Sequence, residues 1–172
     1  MTKLFRYIIL FFAGALINNN VIHAQALKFG HINSADLIQA MPETKGADSS
    51  LAKYRKSLED QMKTMTAEYQ GKLQTYQQQS ETMAEAIRKT KEKELEDLGQ
   101  RIQEFQQTAQ ESVQKKKEEL YGPILKKAED AIKAIAKEKA YSYIFDTSQG
   151  IVLFAQPSDD IMSLTKTKLG IK

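Results

Sequence analysis

The stretch from Leu51 to Tyr76, LAKYRKSLEDQMKTMTAEYQGKLQTY, decides the fold of this chain. Its larger apolar residues recur at steps of three or four, which is the spacing of one face of an α-helix. The pattern repeats after eleven residues, and this period predicts a helix that runs nearly straight or with a slight right-handed twist. The stripe is too narrow to enclose a globular core, so we expect it to seal a seam against a partner helix. Its members are Leu51, Tyr54, Leu58, Met62, Met65, Tyr69, Leu73 and Tyr76.

The helical pattern extends from about Glu43 to Ala140, and only one proline, Pro123, interrupts it. Residues 88–94 (RKTKEKE) carry no apolar side chain, so a helix has nothing to pack against there. A second stripe of similar length follows, which predicts an antiparallel hairpin over residues 43–121 with its tip near 88–94. This hairpin is called the arm below. The second stripe consists of Leu95, Leu98, Ile102, Phe105, Ala109, Val113 and Leu120.

The first 24 residues have the order of a secretory signal peptide. Lys3 and Arg6 precede the apolar run YIILFFAGALI at residues 7–17, and small residues follow near Ala24 and Ala26. Cleavage is expected after one of these two alanines. The run is shorter than the roughly 20 residues that span a bilayer as a helix, although an uncleaved anchor is the alternative. We therefore expect a soluble, exported protein.

Composition excludes several classes of protein. The chain has no cysteine, so disulfides and thiolate metal sites are absent. Of its 25 Lys+Arg and 22 Asp+Glu, the signal peptide removes two basic residues, which leaves 23 against 22 and a net charge of +1. A nearly neutral chain without tryptophan does not indicate nucleic-acid binding.

The remaining segments, residues 25–42 and 122–172, predict a small β/α body. Strands are expected at Leu27–Asn33, Tyr141–Asp146 and Ile151–Ala155, and the last two are expected to form a hairpin through residues 147–150. The fold class is therefore α+β, mostly α, with a long antiparallel helical hairpin (a coiled-coil arm) projecting from this body. A core this small is marginal alone, so we expect oligomerisation through the body.

Local signals predict the helix ends. Ser34 is expected to cap a short helix, and Pro42 to open the long one. Gly122-Pro123 is expected to break or kink the returning helix. Asp159 is expected to cap a closing helix that ends at Gly170. The closing helix is expected to bury Ile161, Met162 and Leu164.

Residues for catalysis are sparse. After signal cleavage His31 is the single histidine, and no nucleophile motif, phosphate loop or paired metal spacing accompanies it. Asp146, at the end of a strand, is expected to accept backbone N–H groups of the following turn. We therefore expect no enzyme activity, no cofactor and no metal.

Two groups of residues, one on the arm and one where the arm meets the body, are candidates for binding. Methionine and tyrosine on one helix face form an adaptable surface suited to variable apolar clients, although simple packing within the hairpin is the alternative. These candidate client contacts are Met62, Met65, Tyr69, Tyr76 and Met83. A basic patch could attract acidic lipid headgroups or acidic client segments, or could be only a solvated face. It consists of Lys115, Lys116, Lys117, Lys126 and Lys127.

The order of these parts resembles the Skp/OmpH family of periplasmic chaperones, across essentially the whole mature chain. The quoted segments are FGHIN at 29–33, PE at 42–43, IAKEK at 135–139, IFD at 144–146 and DDI at 159–161. The resemblance implies a homotrimer whose strands build a central body and whose arms enclose a cavity. It also implies that unfolded outer-membrane proteins are held there without ATP until the assembly machinery receives them. A net charge of +1 departs from the basic character of the family.

Two functions follow from these observations. The first is an ATP-independent holdase for unfolded outer-membrane proteins in the periplasm. The alternative is a structural coiled-coil spacer or adaptor of the cell envelope that binds one folded partner. A holdase is expected to bind many barrel proteins, and a spacer only one partner.

Overall fold

The computed structural model describes residues 27–171, so the predicted signal peptide lies outside the described residues. The predicted fold class, α+β and mostly α with a long helical hairpin, is confirmed. The elements in chain order are β1 (Phe29–Ile32), α1 (Ser34–Ala40), α2 (Pro42–Gln79), α3 (Glu85–Glu138), β2 (Tyr143–Asp146), a 3-10 turn (Pro157–Asp159) and α4 (Met162–Leu169).

The two strands form a parallel pair. Phe29 lies opposite Tyr143 and Ile32 opposite Asp146, so the whole arm serves as the connection between β1 and β2. The predicted third strand at Ile151–Ala155 is wrong, because this segment is irregular and pairs with no strand among the described residues. Apolar and β-branched composition favours a strand, but a strand forms only where a partner edge is available.

The arm turns at residues 80–84, between α2 and α3. The predicted tip at 88–94 is therefore wrong, and these residues belong to the first turns of α3. A run without apolar residues can remain helical where charges pair along it, as Lys89 pairs with Glu85 at 2.9 Å. At the true end of α2, the Thr82 hydroxyl donates to the Gln79 carbonyl oxygen at 3.0 Å.

Pro123 lies inside α3, which continues to Glu138, so of the predicted break or kink the break is wrong. Proline has no backbone N–H, and the Glu119 carbonyl oxygen therefore loses its usual helical donor. Packing outweighs this loss, because Ile124 directly after the proline and Ala128 about one turn further on are only 6% and 3% exposed. No helix within residues 27–171 is long and apolar enough to cross a membrane.

The body core is built from both ends of the chain around the base of the arm. Its most buried members are Ile32, Leu37 and Ile161, at 1%, 0% and 0% exposed. They pack with the base of α3, where Ile135 is also buried. At about 1.5–3 kcal/mol for each fully buried aliphatic side chain, this cluster is the main source of stability for the body.

The predicted cap of α1 is displaced by one residue. Asn33, not Ser34, caps α1, because its side-chain oxygen accepts from the backbone N–H of Ala35 and of Asp36 at 3.1 and 3.2 Å. Ser34 instead donates from its hydroxyl to Asp146 at 2.6 Å. The side-chain oxygens of Asn33 and Ser34 can compete for the same backbone N–H groups, and the sequence pattern alone did not show which of the two residues caps the helix.

At the closing helix, Asp160 rather than Asp159 accepts the Met162 N–H, at 2.8 Å. Leu164 is 37% exposed, so its predicted burial is wrong, and Thr165 is fully buried in its place. The helix ends as predicted at Gly170, whose φ of 71° lies in the left-handed region.

Candidate functional site

A seam between α2 and α3 runs along the arm. The two predicted apolar stripes meet there, but only Leu51, Leu95 and Leu98 are buried, at 7%, 9% and 2% exposed. The other seven larger members of α2 are half-buried, and so are the remaining members of α3. Because burial is incomplete along most of the seam, the arm presents apolar surface over much of its length.

Polar contacts join the two helices near both ends of the arm. The Tyr76 hydroxyl donates to Glu92 Oε1 at 2.5 Å, and this hydrogen bond is the main reason that the pKa of Tyr76 lies above its usual value. Three other contacts between the helices bring together Lys72 and Glu94, Tyr121 and Asp48, and Lys127 and Glu43.

Between these two sets of contacts the seam opens into an apolar groove of about 780 Å³, called the arm groove below. Ala109 is a small residue in the second stripe, and Met62 lines the groove from the opposite helix. A small side chain at a seam position leaves space that a larger one would fill. The apolar lining consists of Leu58, Met62, Ala67, Phe105, Ala109 and Val113.

The five candidate client contacts lie in one row rather than in one pocket. Met62 lines the arm groove, and Met65 is half-buried beside it. Tyr69 lies against Gly99 of α3. A Cβ atom placed on Gly99 would be 3.7 Å from the Tyr69 ring. Tyr76 lies near the end of α2 and Met83 lies in the turn at residues 80–84, and both are half-buried. The structure therefore places four of the predicted residues along the seam and the fifth in the turn.

The basic patch lies where the arm approaches the body. Carboxylates of the same chain pair with part of it. Lys116 pairs with Glu119 at 3.0 Å, and Lys126 pairs with Asp130 at 3.1 Å. Lys127 pairs with a carboxylate of α2, as described above. Within residues 27–171, Lys115 and Lys117 have no such ion pair, so the patch is less positive than five lysines suggest.

The outer face of the sheet carries an exposed aromatic surface that the sequence did not reveal. Phe29, Tyr143 and Phe145 stack with ring centroids 5.9 to 6.4 Å apart. They remain 45%, 58% and 48% exposed. We call these three residues the aromatic ladder. The period-two spacing of Tyr143 and Phe145 was a signal for a shared face, but the parallel pairing with β1 could not be read from it.

A second exposed apolar surface follows β2. Ile151, Leu153 and Phe154 are 80%, 97% and 81% exposed, and they belong to the segment that was predicted to be a strand. Residues 151–155 are called the apolar segment below. Phe154 and Phe29 line one small cavity, so the apolar segment adjoins the aromatic ladder. Large contiguous apolar patches on a soluble chain mark interaction surfaces.

The carboxylate of Asp146 accepts hydrogen bonds that hold the body together. Burial raises the pKa of Asp146, but hydrogen bonds from Ser34 and Ser148 outweigh it, so that this pKa lies below its usual value. Asp146 accepts the backbone N–H of Ser148 at 2.9 Å, as predicted. No group of three or more potential metal-ligating side chains occurs within residues 27–171.

Comparison with known proteins identifies the family. The family described as outer membrane protein (OmpH-like) matches residues 28–169, which is nearly the whole described chain. The chain belongs to the OmpH family. The resemblance read from the sequence is thereby confirmed. OmpH proteins are chaperones and not enzymes, which agrees with the expectation for this chain.

Individual relatives of this OmpH chain are distant. It is 25% identical to the chaperone protein Skp of Yersinia enterocolitica, over 80% of this chain and 82% of that protein. It is 23% identical to the chaperone protein Skp of Pectobacterium atrosepticum, over 70% of this chain and 73% of that protein. An OmpH-like outer membrane chaperone from Caulobacter crescentus superposes with a TM-score of 0.71 at 14% identity, over 83% of both chains. The structural likeness shows the shared fold.

Proposed function

We propose that this OmpH chain is an ATP-independent periplasmic holdase. It binds unfolded outer-membrane proteins between helical arms and keeps them soluble until the assembly machinery receives them. The observation that carries the proposal is the family match over residues 28–169. In this account, residues 25–42 and 122–172 form the oligomerisation body, residues 43–121 form the arm, and residues 1–24 direct export.

The arm supports the holdase function because its apolar surface is incompletely covered. The proposed client contacts are the five residues named above, and the arm groove adds unfilled apolar volume at Met62. Methionine side chains adapt their shape and suit clients that present no fixed surface. Client binding of this kind needs no nucleotide, because burial of apolar surface supplies the free energy.

We propose that the chain assembles as a homotrimer through its body. The aromatic ladder and the apolar segment form adjoining surfaces at the sheet, and both expose large apolar side chains. A two-stranded sheet is marginally stable by itself. Assembly of several copies around this surface would bury it and would arrange the arms around a common cavity.

The basic patch is proposed as an attraction site for acidic client segments. Lys115 and Lys117 carry the charges that are not paired within residues 27–171. Exposed charges act over about 8 Å at physiological ionic strength, so this contribution is expected to weaken as salt is added.

An aggregation assay tests the proposed function. An unfolded outer-membrane barrel protein is diluted from urea into buffer, and light scattering is followed with and without this chain at one trimer per client. Suppression without ATP is expected. Undiminished aggregation at that ratio overturns the holdase proposal.

A matched pair of variants tests the client contacts. Met62→Glu places a charge in the arm groove, whereas Gln61→Glu makes the same change of charge at the exposed neighbouring position. We expect Met62→Glu to lose suppression and Gln61→Glu to retain it, with equal helicity by circular dichroism. Equal suppression by both variants contradicts the assignment of Met62.

A pull-down from an envelope extract separates the holdase from a spacer. Many different barrel proteins are expected to be recovered with the chain. Recovery of one folded partner at fixed stoichiometry, with no barrel proteins, favours the spacer.

A further inference from the structure

The apolar segment offers a free backbone edge beside the sheet. Within residues 27–171, the N–H and carbonyl groups of residues 151–155 make no hydrogen bond with other backbone groups. Leu153 at their centre is 97% exposed. A segment with free backbone groups and exposed apolar side chains can pair with another chain.

Both ends of the apolar segment are tied to the body. On the side nearer β2, the Gly150 N–H donates to the Thr147 carbonyl oxygen at 3.3 Å, and Thr147 donates to Ile32 at 2.9 Å. On the other side, His31 Nε2 lies 3.0 Å from the carbonyl oxygen of Gln156, the first residue after the segment. His31 is thus a direct side-chain link from β1 to the far end of the segment.

We infer that His31 is a positioning residue for assembly: its bond to Gln156 holds the apolar segment in the place where a second copy of this chain binds. The inference rests on the proposed homotrimer. Since a carbonyl oxygen can only accept, Nε2 must carry the proton. Without this bond, the far end of the segment is held only indirectly, through the turn at residues 156–161: the Asp159 N–H donates to the Gln156 carbonyl oxygen, and the Ile161 N–H donates to the His31 carbonyl oxygen.

The other hydrogen bonds around His31 show that its side-chain bond can be removed without disturbing the backbone contacts of the fold. The His31 backbone carbonyl oxygen accepts from the Ile161 N–H at 3.0 Å, and a change of side chain leaves that bond in place. The Gln156 carbonyl oxygen also accepts from the Asp159 N–H at 2.9 Å, so loss of the imidazole donor does not leave it without a partner. Monomer stability is therefore expected to change little.

Three variants test the inference. The amide nitrogen of glutamine can reach the position of Nε2, whereas that of asparagine reaches only the position of Nδ1. His31→Gln is therefore expected to assemble like the natural chain, and His31→Asn and His31→Leu to assemble more weakly. The bond lies within each copy, so its loss acts on assembly through the ordering of the loosened segment. If that ordering costs each of three copies about as much as one hydrogen bond contributes, the trimer dissociation constant should rise about 100-fold and the half-assembly concentration about tenfold.

Sedimentation velocity over a concentration series measures this shift, with circular dichroism as the check on folding. Equal half-assembly concentrations for the natural chain, His31→Gln and His31→Leu overturn the inference and leave the proposed trimer standing. A natural chain that stays monomeric overturns both.

A measurement on the natural chain covers the case in which a variant fails to fold. Long-range nitrogen–proton NMR of the histidine ring is expected to show the proton on Nε2, with slow exchange in the assembled protein. Rapid exchange of that proton with solvent overturns the inference without any substitution.

Discussion

Leu153→Ser is expected to disrupt assembly without unfolding the monomer. The side chain is 97% exposed in the single chain, so its replacement should change the free energy of monomer unfolding by less than about 0.5 kcal/mol. If assembly buries it fully, each copy loses about 1.5–3 kcal/mol of transfer free energy. Three copies then lose about 4.5–9 kcal/mol.

This loss predicts a measurable shift in concentration. At about 1.4 kcal/mol for each factor of ten, the trimer dissociation constant rises by about three to six decades. The half-assembly concentration varies as its square root, and should rise at least about 40-fold and up to about 1,000-fold. Sedimentation velocity from nanomolar to high micromolar concentration covers this range.

Ile87→Ser serves as the matched control, because Ile87 is also a large exposed aliphatic residue, at 53%, but lies near the turn of the arm. It is expected to assemble like the natural chain. Identical assembly of Leu153→Ser and Ile87→Ser would refute the reasoning that the apolar segment lies in the interface.

Three further predictions concern the single chain. Leu98→Ala removes a seam side chain that is 2% exposed, and should lower the free energy of unfolding by about 2–5 kcal/mol, with faster amide exchange along the arm. Gly170→Ala forces an L side chain into a φ of 71° and should cost about 1 kcal/mol in thermal unfolding. Asp146 has a lowered pKa in the folded chain, so its contribution is present above the unfolded value of about 3.9 and is lost as pH falls through the folded pKa. Asp146→Asn should therefore flatten the loss of stability in acid titrations followed by circular dichroism.

The arm could be predicted because its spacing is a local property. Steps of three and four identify one helix face, and two such stripes predict a hairpin. The turn could not be placed, because α3 begins at Glu85 and continues through a charged run that has no apolar residue. Ion pairs such as Lys89 with Glu85 can support a helix there, and apolar periodicity does not detect them.

The candidate surfaces depended on contacts that no local pattern contains. The aromatic ladder exists because Phe29 lies beside Tyr143 in a parallel register across more than one hundred residues. The arm groove is lined by side chains of both helices, among them Met62 of α2 and Ala109 of α3. The apolar composition around Leu153 indicated a strand. A strand also needs a neighbouring strand to pair with, and the sequence of the segment does not show whether one is present.

Native mass spectrometry with and without an unfolded outer-membrane barrel protein tests the central claim most directly, because it reports stoichiometry and client binding together. The account predicts a species of three copies alone and a species of three copies with one client. A monomer that binds no client, or a fixed complex that is unaffected by the barrel protein, would contradict it.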